Sequence, residues 1–132
     1  MSMTQGIYTI TENVHLTETV MLMRLEGDTS SLTAPGQFIN IKLEGKFLRR
    51  PISVCDYDDS TVTIIYKIVG TGTKQMESMK PGDTLDVLCG LGNGFNTRKS
   101  GDRPVLVGGG VGVPPLYNLC KKLIAAGKQV SV

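Results

Sequence analysis

From Ile7 to about residue 90 the chain alternates short apolar runs, rich in β-branched residues, with clusters of glycine, proline, aspartate and serine. Runs of this length and spacing are those of an antiparallel barrel or sandwich, because each is long enough to cross a small core and is then stopped by a turn. The predicted strands are Ile7–Ile10, His15–Leu25, Phe38–Leu43, Pro51–Val54, Thr61–Val69 and Leu85–Leu88. In the fifth, Val62, Ile64, Tyr66 and Ile68 alternate with Thr61, Thr63 and Lys67, which places the first set on one face. Ile65 breaks the polar side, so part of the second face is expected to be covered as well.

Between these runs lie Gly27-Asp28, Pro35-Gly36, Asp56 to Ser60 and Pro81-Gly82-Asp83, whose residues set turn dihedrals or bond their own backbone. The acidic run Asp56, Asp58 and Asp59 therefore reads as a hairpin tip. One helix is expected within this region, around Thr73–Met79, with Met76 and Met79 facing the same way into the core.

The pattern changes after Phe95. Residues 96–103 are polar and turn-rich, Pro104–Val107 reads as an apolar strand, and Gly108–Gly112 breaks it. Pro114 and Pro115 suit a first helical turn, where the missing N–H would be unpaired in any case. Leu116, Leu119 and Leu123, with Cys120 and Ile124 offset by one, form an apolar stripe at helical spacing. Gly127 is placed to stop that helix, and Gln129–Val132 reads as another strand.

The expected organisation is a β-barrel over residues 1–98 and the start of an α/β unit over 99–132, one strand–helix–strand unit with no further strands to complete a doubly wound sheet. With 132 residues, a second domain of ordinary size does not fit beside a first of about 100, so the second unit is expected to be incomplete.

A formal charge of +2 with 20% charged residues lacks the basic excess that draws a protein to nucleic acid or anionic lipid. No apolar run approaches the roughly 20 residues that span a bilayer, and Met1–Gly6 lacks the charged start and apolar centre of a signal peptide. The expected location is cytoplasmic. Cys55, Cys89 and Cys120 are odd in number and far apart, which suits neither a disulfide framework nor a metal cluster. The single histidine, His15, leaves little for a histidine metal site or a catalytic triad.

Four segments are suited to ligand chemistry. Arg49-Arg50-Pro51-Ile52-Ser53 runs a double arginine into an apolar strand; such a fork can hold a pyrophosphate, or can simply blunt an edge strand. Gly70-Thr71-Gly72-Thr73 follows a strand ending in Lys67, where glycine allows close backbone approach. Gly90-Leu91-Gly92-Asn93-Gly94-Phe95 reads as a turn with positive-φ positions. Val107-Gly108-Gly109-Gly110-Val111-Gly112-Val113-Pro114-Pro115 is a glycine-rich turn between strand and helix, where a nucleotide can sit. It departs from the G-x-G-x-x-G fingerprint, since Pro115 stands where the last glycine should be.

In this order and spacing the four segments resemble the electron-transfer subunits of bacterial dihydroorotate dehydrogenase B, within the ferredoxin-reductase superfamily. The resemblance covers almost the whole chain and implies a mainly β fold: a six-stranded antiparallel flavin-binding barrel followed by an incomplete, Rossmann-like nicotinamide-binding segment, the family pattern being truncated at its C-terminal side. It implies that Arg50 neutralises the FAD pyrophosphate, that Pro51 and Ile52 line the isoalloxazine, and that Ser53, the residue assigned to the reaction itself, hydrogen-bonds its reactive edge. Ile65, Tyr66 and Lys67 would pass along the flavin, Gly72 and Thr73 would bind its phosphates, and Gly108, Gly109, Gly110 and Gly112 would sit where NAD(H) approaches. Ile52 replaces the tyrosine of the wider superfamily, and Cys89-Gly90 stands where the family shows Gly-Pro.

The resemblance further implies an FMN-containing dihydroorotate dehydrogenase catalytic subunit as partner, in a heterotetramer for full-length relatives. It also implies a [2Fe–2S] cluster in those relatives, whose four cysteines have no counterpart here. Two other readings remain open at this point: the flavin subunit of another NAD(P)H-linked complex, and a β-barrel binding or assembly module without a redox role.

Overall fold

The computed structural model describes residues 3–132; Met1 and Ser2, on which the reading of the N-terminus begins, lie outside the described residues. Six strands, β1 (Thr4–His15), β2 (Val20–Glu26), β3 (Phe38–Lys42), β4 (Arg50–Tyr57), β5 (Thr61–Lys67) and β6 (Thr84–Leu91), close an antiparallel barrel in the order β1-β2-β5-β4-β3-β6. Closure leaves every strand with two partners and no open edge. Side-chain alternation then decides what fills the interior. Tyr8 and Ile10 of β1, Met21, Met23 and Leu25 of β2, Ile39 and Ile41 of β3, Val62, Ile64 and Tyr66 of β5, and Leu85, Val87 and Cys89 of β6 form one buried cluster. A slip of one residue in any pairing would turn such a set outward, so burial of this face holds the register.

The segment His15–Leu25, expected as one strand, is divided between the end of β1 and β2. The turn between them, residues 16–19, contains no glycine, proline, asparagine or aspartate. Its signal is a threonine: Thr17 Oγ1 accepts from the N–H groups of Thr19 and Val20 at 3.3 and 3.1 Å, and Leu16 N–H bonds Val20 O at 2.8 Å. Asp58 behaves as a turn former, its carboxylate accepting from the N–H groups of Ser60 and Thr61 at the β4–β5 hairpin. Gly90, Gly92 and Gly94 all have positive φ, as expected for that turn.

Helix α1 (Thr71–Glu77) begins two residues earlier than expected and buries Met76 in the barrel cluster, with Met79 packed against it. Its C-terminal end is tied to β1 by Asn13, whose Nδ2 donates to Met76 O and Met79 O, both at 2.9 Å. The same side chain accepts from Tyr66 Oη at 2.9 Å. One half-buried amide thus joins β1, β5 and α1.

Helix α2 (Pro114–Ala125) starts on the two prolines as expected, and Gly127, with φ +83°, ends it. Leu119 and Leu123 pack with Leu106 in a second, small cluster. The helix lies on β4, where Lys121 Nζ meets Asp56 at 2.7 Å and Lys122 Nζ sits 5.6 Å from the centre of the Tyr57 ring. A bulge between Val54 and Asp56 lets both Val54 and Cys55 be buried.

The expected strand–helix–strand unit is not formed as such. Pro104–Val107 and Gln129–Val132 meet through a single parallel bridge, Val105 to Ser131, and the described residues contain no further strand of a doubly wound sheet. The reason is burial: Val105 and Val107 remain exposed because no neighbouring strand or second helix covers them. A parallel pair with one covered face gains too little to extend its ladder. The architecture is a six-stranded barrel with one C-terminal helix docked on it.

Candidate functional site

Strand β4 meets β5 beside the start of α1, and the first turn of α2 approaches the same place. Together they enclose a cleft of about 360 Å³ lined by Arg50, Pro51, Ile52, Ser53, Ile65, Tyr66, Lys67, Val69, Thr73, Val111 and Pro114. That volume lies near the lower end of small-molecule sites, roughly 300–1,000 Å³. Eight of the residues singled out in the sequence line it, although they come from three separate segments. Val69, Val111 and Pro114 were not singled out individually as cleft residues. Val69 comes from the β5–α1 connection, and the place of Val111 and Pro114 follows from how the start of α2 folds back over the barrel, for which no local sequence signal exists.

The double arginine divides its roles. Arg49 is structural: it donates to Asn40 O at 3.3 Å and to Asp86 O at 3.2 Å, and pairs with the Asp86 carboxylate at 3.1 Å. Although burial works in the opposite direction, the bonds from Arg49 and Gln5 hold the Asp86 carboxyl below the usual carboxylate range. Asn40 faces Pro51 across the β3–β4 ladder, and proline has no N–H to offer, so the guanidinium supplies a donor there. Arg50 instead turns into the cleft. Its guanidinium donates to Leu48 O at 2.6 Å and has no carboxylate partner among the described residues.

Gly72 lets Arg50 sit there. A Cβ at Gly72 would lie 2.4 Å from Arg50 Nε and 3.1 Å from its Cζ, so any side chain at this position would displace the guanidinium. The N–H groups in the first turn of α1 have no acceptor within the helix, which leaves donors beside the cation. Thr73 serves the turn: its hydroxyl accepts from Val69 N–H at 2.8 Å and Gly70 N–H at 3.1 Å. Lys67, exposed at the end of β5, is a second cation on the cleft and likewise lacks a carboxylate partner among the described residues.

Strand alternation separates the remaining lining residues. Ser53 is exposed on β4, and no protein partner bonds its hydroxyl among the described residues. Ile52 and Ile65 are half-buried and give the cleft an apolar wall. Tyr66 lines it with little side-chain surface, since its ring points into the barrel and its hydroxyl bonds Asn13; burial pushes its pKa up to about 12. Gly108 packs tightly, a Cβ there meeting Leu116 at 2.8 Å, whereas Gly109, Gly110 and Gly112 border open space.

A larger groove, about 460 Å³, runs between the end of α2 and residues 33–35 and 95–98. Of its cations Arg98, Lys122 and Lys128, the two lysines are engaged with Tyr57 and Asp102 and lie near the helix C-terminus, where positive charge is expected. Of the four segments suited to ligand chemistry, Phe95 alone reaches it. Cys55, Cys89 and Cys120 are free; burial, with Asp56 beside it, pushes the Cys55 thiol up. Among the described residues no group of three or more His, Cys, Asp or Glu side chains could hold a metal ion. No helix among them is long and apolar enough to cross a membrane.

The barrel with its lateral cleft and docked helix matches the FAD-binding domain of ferredoxin-reductase-type oxidoreductases, and the chain is related to their FAD-dependent subunits. It superposes on the NADH-dependent reduced ferredoxin-NADP oxidoreductase with a TM-score of 0.86 and 32% identity, covering 95% of this chain and 46% of that one. The fold is shared with a ferredoxin NADP+ reductase from Neisseria gonorrhoeae with bound FAD and NADP, at TM-score 0.78 and 23% identity over 96% of this chain and 55% of that one.

No family model matches the chain. In sequence it is a homologue of the electron transfer subunits of dihydroorotate dehydrogenase B (NAD(+)). It is 39% identical over 137 residues to that of Geobacillus sp. (strain WCH70), 98% of this chain and 53% of the relative, and 46% identical over 114 residues to that of Bacillus mycoides (strain KBAB4), 80% and 44%. The chain thus spans about half the length of the curated relatives it matches.

Proposed function

We propose that the chain is the FAD-binding part of an electron transfer subunit of dihydroorotate dehydrogenase B, with the dinucleotide along the β4–β5 cleft. The observation that carries this is Arg50: a cation without a carboxylate partner among the described residues, lying over a glycine that only an absent side chain leaves open. An arginine fork beside free backbone donors suits a diphosphate, and the Ile52–Ile65 wall suits a flat ring.

When bound, FAD supplies the exchange of hydride and single electrons; the chain's residues bind and orient it. Arg50 neutralises phosphate charge, with Lys67 as a second cation and the backbone of Gly72 and Thr73 as donors. Ser53 presents a free hydroxyl to the polar edge of the ring. Ile52 and Ile65 exclude water from its face. Gly109, Gly110 and Gly112 carry no side chain at the rim, which leaves backbone open to NAD(H), and Gly108 holds that turn against Leu116. Residues 99–132 belong in this reading to the nicotinamide side, residues 1–98 to the flavin side.

The partner in this reading is a dihydroorotate-oxidising, FMN-containing catalytic subunit of pyrimidine biosynthesis; FAD would stand between that subunit and NAD⁺, and the described residues contain no ligand set for the [2Fe–2S] cluster of full-length relatives. Identity of 39–46% to these subunits, against 32% to the ferredoxin-NADP oxidoreductase, favours this complex over another NAD(P)H-linked one.

The test is an absorption spectrum from the ultraviolet edge through the flavin bands after FAD is added and free FAD removed, repeated with Arg50→Ala. Charge-assisted bonds contribute about 1.5–3 kcal/mol, so the variant should bind FAD about ten- to a hundredfold more weakly. A chain that stays colourless with FAD would end the flavin reading and return the barrel to a binding or assembly role.

A further inference from the structure

Beyond Arg50 the surface changes character. Residues 43–49 connect β3 to β4 and turn at Gly45, φ +74°, with Lys46 N–H closing on Leu43 O at 3.1 Å. The connection is fastened to the cleft at two points. Leu48 O accepts from the Arg50 guanidinium at 2.6 Å, and Glu44 O accepts from Gln75 Nε2 of α1 at 3.2 Å. On this anchored loop Phe47 is fully exposed, and Leu48 beside it is 65% exposed. An aromatic ring held on a fastened loop yet packed on nothing gives up the burial that phenylalanine ordinarily gains.

We infer that Phe47, supported by Leu48, is the platform on which the adenine of a bound flavin dinucleotide stacks. This rests on the flavin reading above and extends it to which flavin is held. A pyrophosphate is the midpoint of FAD. With the ring half lying from Arg50 toward Ser53, Val111 and Pro114, the adenosine half leaves on the opposite side of Arg50, where Leu48 touches the guanidinium. Three residues of extended chain reach at most about 10 Å, so the Phe47 backbone stays within that distance of Arg50. Aromatic rings stack on purines through a face that every base presents.

A protein-docking role fits less well. A stable interface needs about 800 Å² on each partner, whereas Phe47 and Leu48 are two residues flanked by Glu44, Lys46 and Arg49. Phe47 is thereby a specificity residue for FAD over FMN, which shares the ring and one phosphate and lacks the adenylate.

The 132-residue chain is titrated with FAD and separately with FMN, following flavin fluorescence, as wild type, Phe47→Ala, Phe47→Trp and Arg50→Ala. Phe47→Ala should weaken FAD about tenfold and leave FMN within about twofold, Phe47→Trp should retain FAD, and Arg50→Ala should weaken both. The melting temperature of Phe47→Ala should match wild type, because the ring packs on nothing, so lost affinity is not lost fold. FAD bound equally well by Phe47→Ala and wild type overturns the inference while the flavin site stands, and leaves the ring to a protein partner. Equal losses for FAD and FMN overturn it too. A wild-type chain that binds neither flavin ends the flavin reading itself.

Discussion

Asn13 supports the site from outside it, since it is not among the residues that line the cleft. It holds α1 to the barrel through two backbone carbonyls and the Tyr66 hydroxyl, and α1 carries Gly72 and Thr73. An asparagine inside a strand run carries no motif, so only its three partners disclose the role. Removing it strands buried polar groups, each costing about 1–3 kcal/mol, and Asn13→Ala should lower the denaturant midpoint accordingly. Tyr66 adds a pH dependence of definite sign. Burial raises its pKa to about 12 from the ordinary tyrosine value of 10.0, so the stability it contributes is present below pH 10 and is lost as pH rises toward 12. Burial also raises Tyr8, which acts in the same direction. Chemical denaturation should therefore give a flat midpoint to about pH 9 and a fall above it, and Tyr66→Phe should shallow that fall; an unchanged slope would exclude Tyr66 as its source.

Among the elements, α2 shows how a short stretch joins two parts of the chain. Its existence and ends follow from Pro114, Pro115, the leucine stripe and Gly127, all legible in sequence. What it packs on does not. The Asp56–Lys121 and Tyr57–Lys122 contacts set α2 on β4 and cover Cys55, which is 6% exposed, while Cys120 is half-buried. The Asp56–Lys121 pair is partly exposed and contributes about 0.5 kcal/mol after solvent screening. With a thiol reagent, and sites assigned by mass spectrometry, Cys120 should label before Cys55, and Lys121→Ala should speed Cys55 by roughly twofold. Faster labelling of Cys55 than Cys120 in the wild type would mean that α2 does not rest on β4.

For the molecule as a whole, the barrel is closed and its interior filled, but the segment after it keeps apolar surface in contact with water. Val107 is 87% exposed and Val132 81%, at the ends of the two stretches joined by the Val105–Ser131 bridge. Apolar residues on an unpaired parallel edge favour pairing with another chain. Sedimentation velocity should show self-association that grows with concentration, and Val107→Lys should restore a monomeric boundary; a wild-type chain monomeric throughout would show that this edge is too short to pair.

Strand number, the barrel class, α2 and the four ligand-suited segments are properties of local pattern: period-two alternation, turn residues and helix ends act over a few neighbours, and the sequence by itself determines them. Where its turn lacked the usual residues, at Thr17, that local signal failed and the break between β1 and β2 was expected at residues 11–14 and not at 16–19. The tertiary structure alone decided which arginine is structural, that Gly72 makes room for Arg50, and that Val69, Val111 and Pro114 join the cleft. It also decided that the last segment forms a bridge and not a sheet. Each of these depends on contacts between residues far apart in the chain, where a guanidinium finds a carboxylate or does not, and where a strand finds a neighbour to bury it or stays in water.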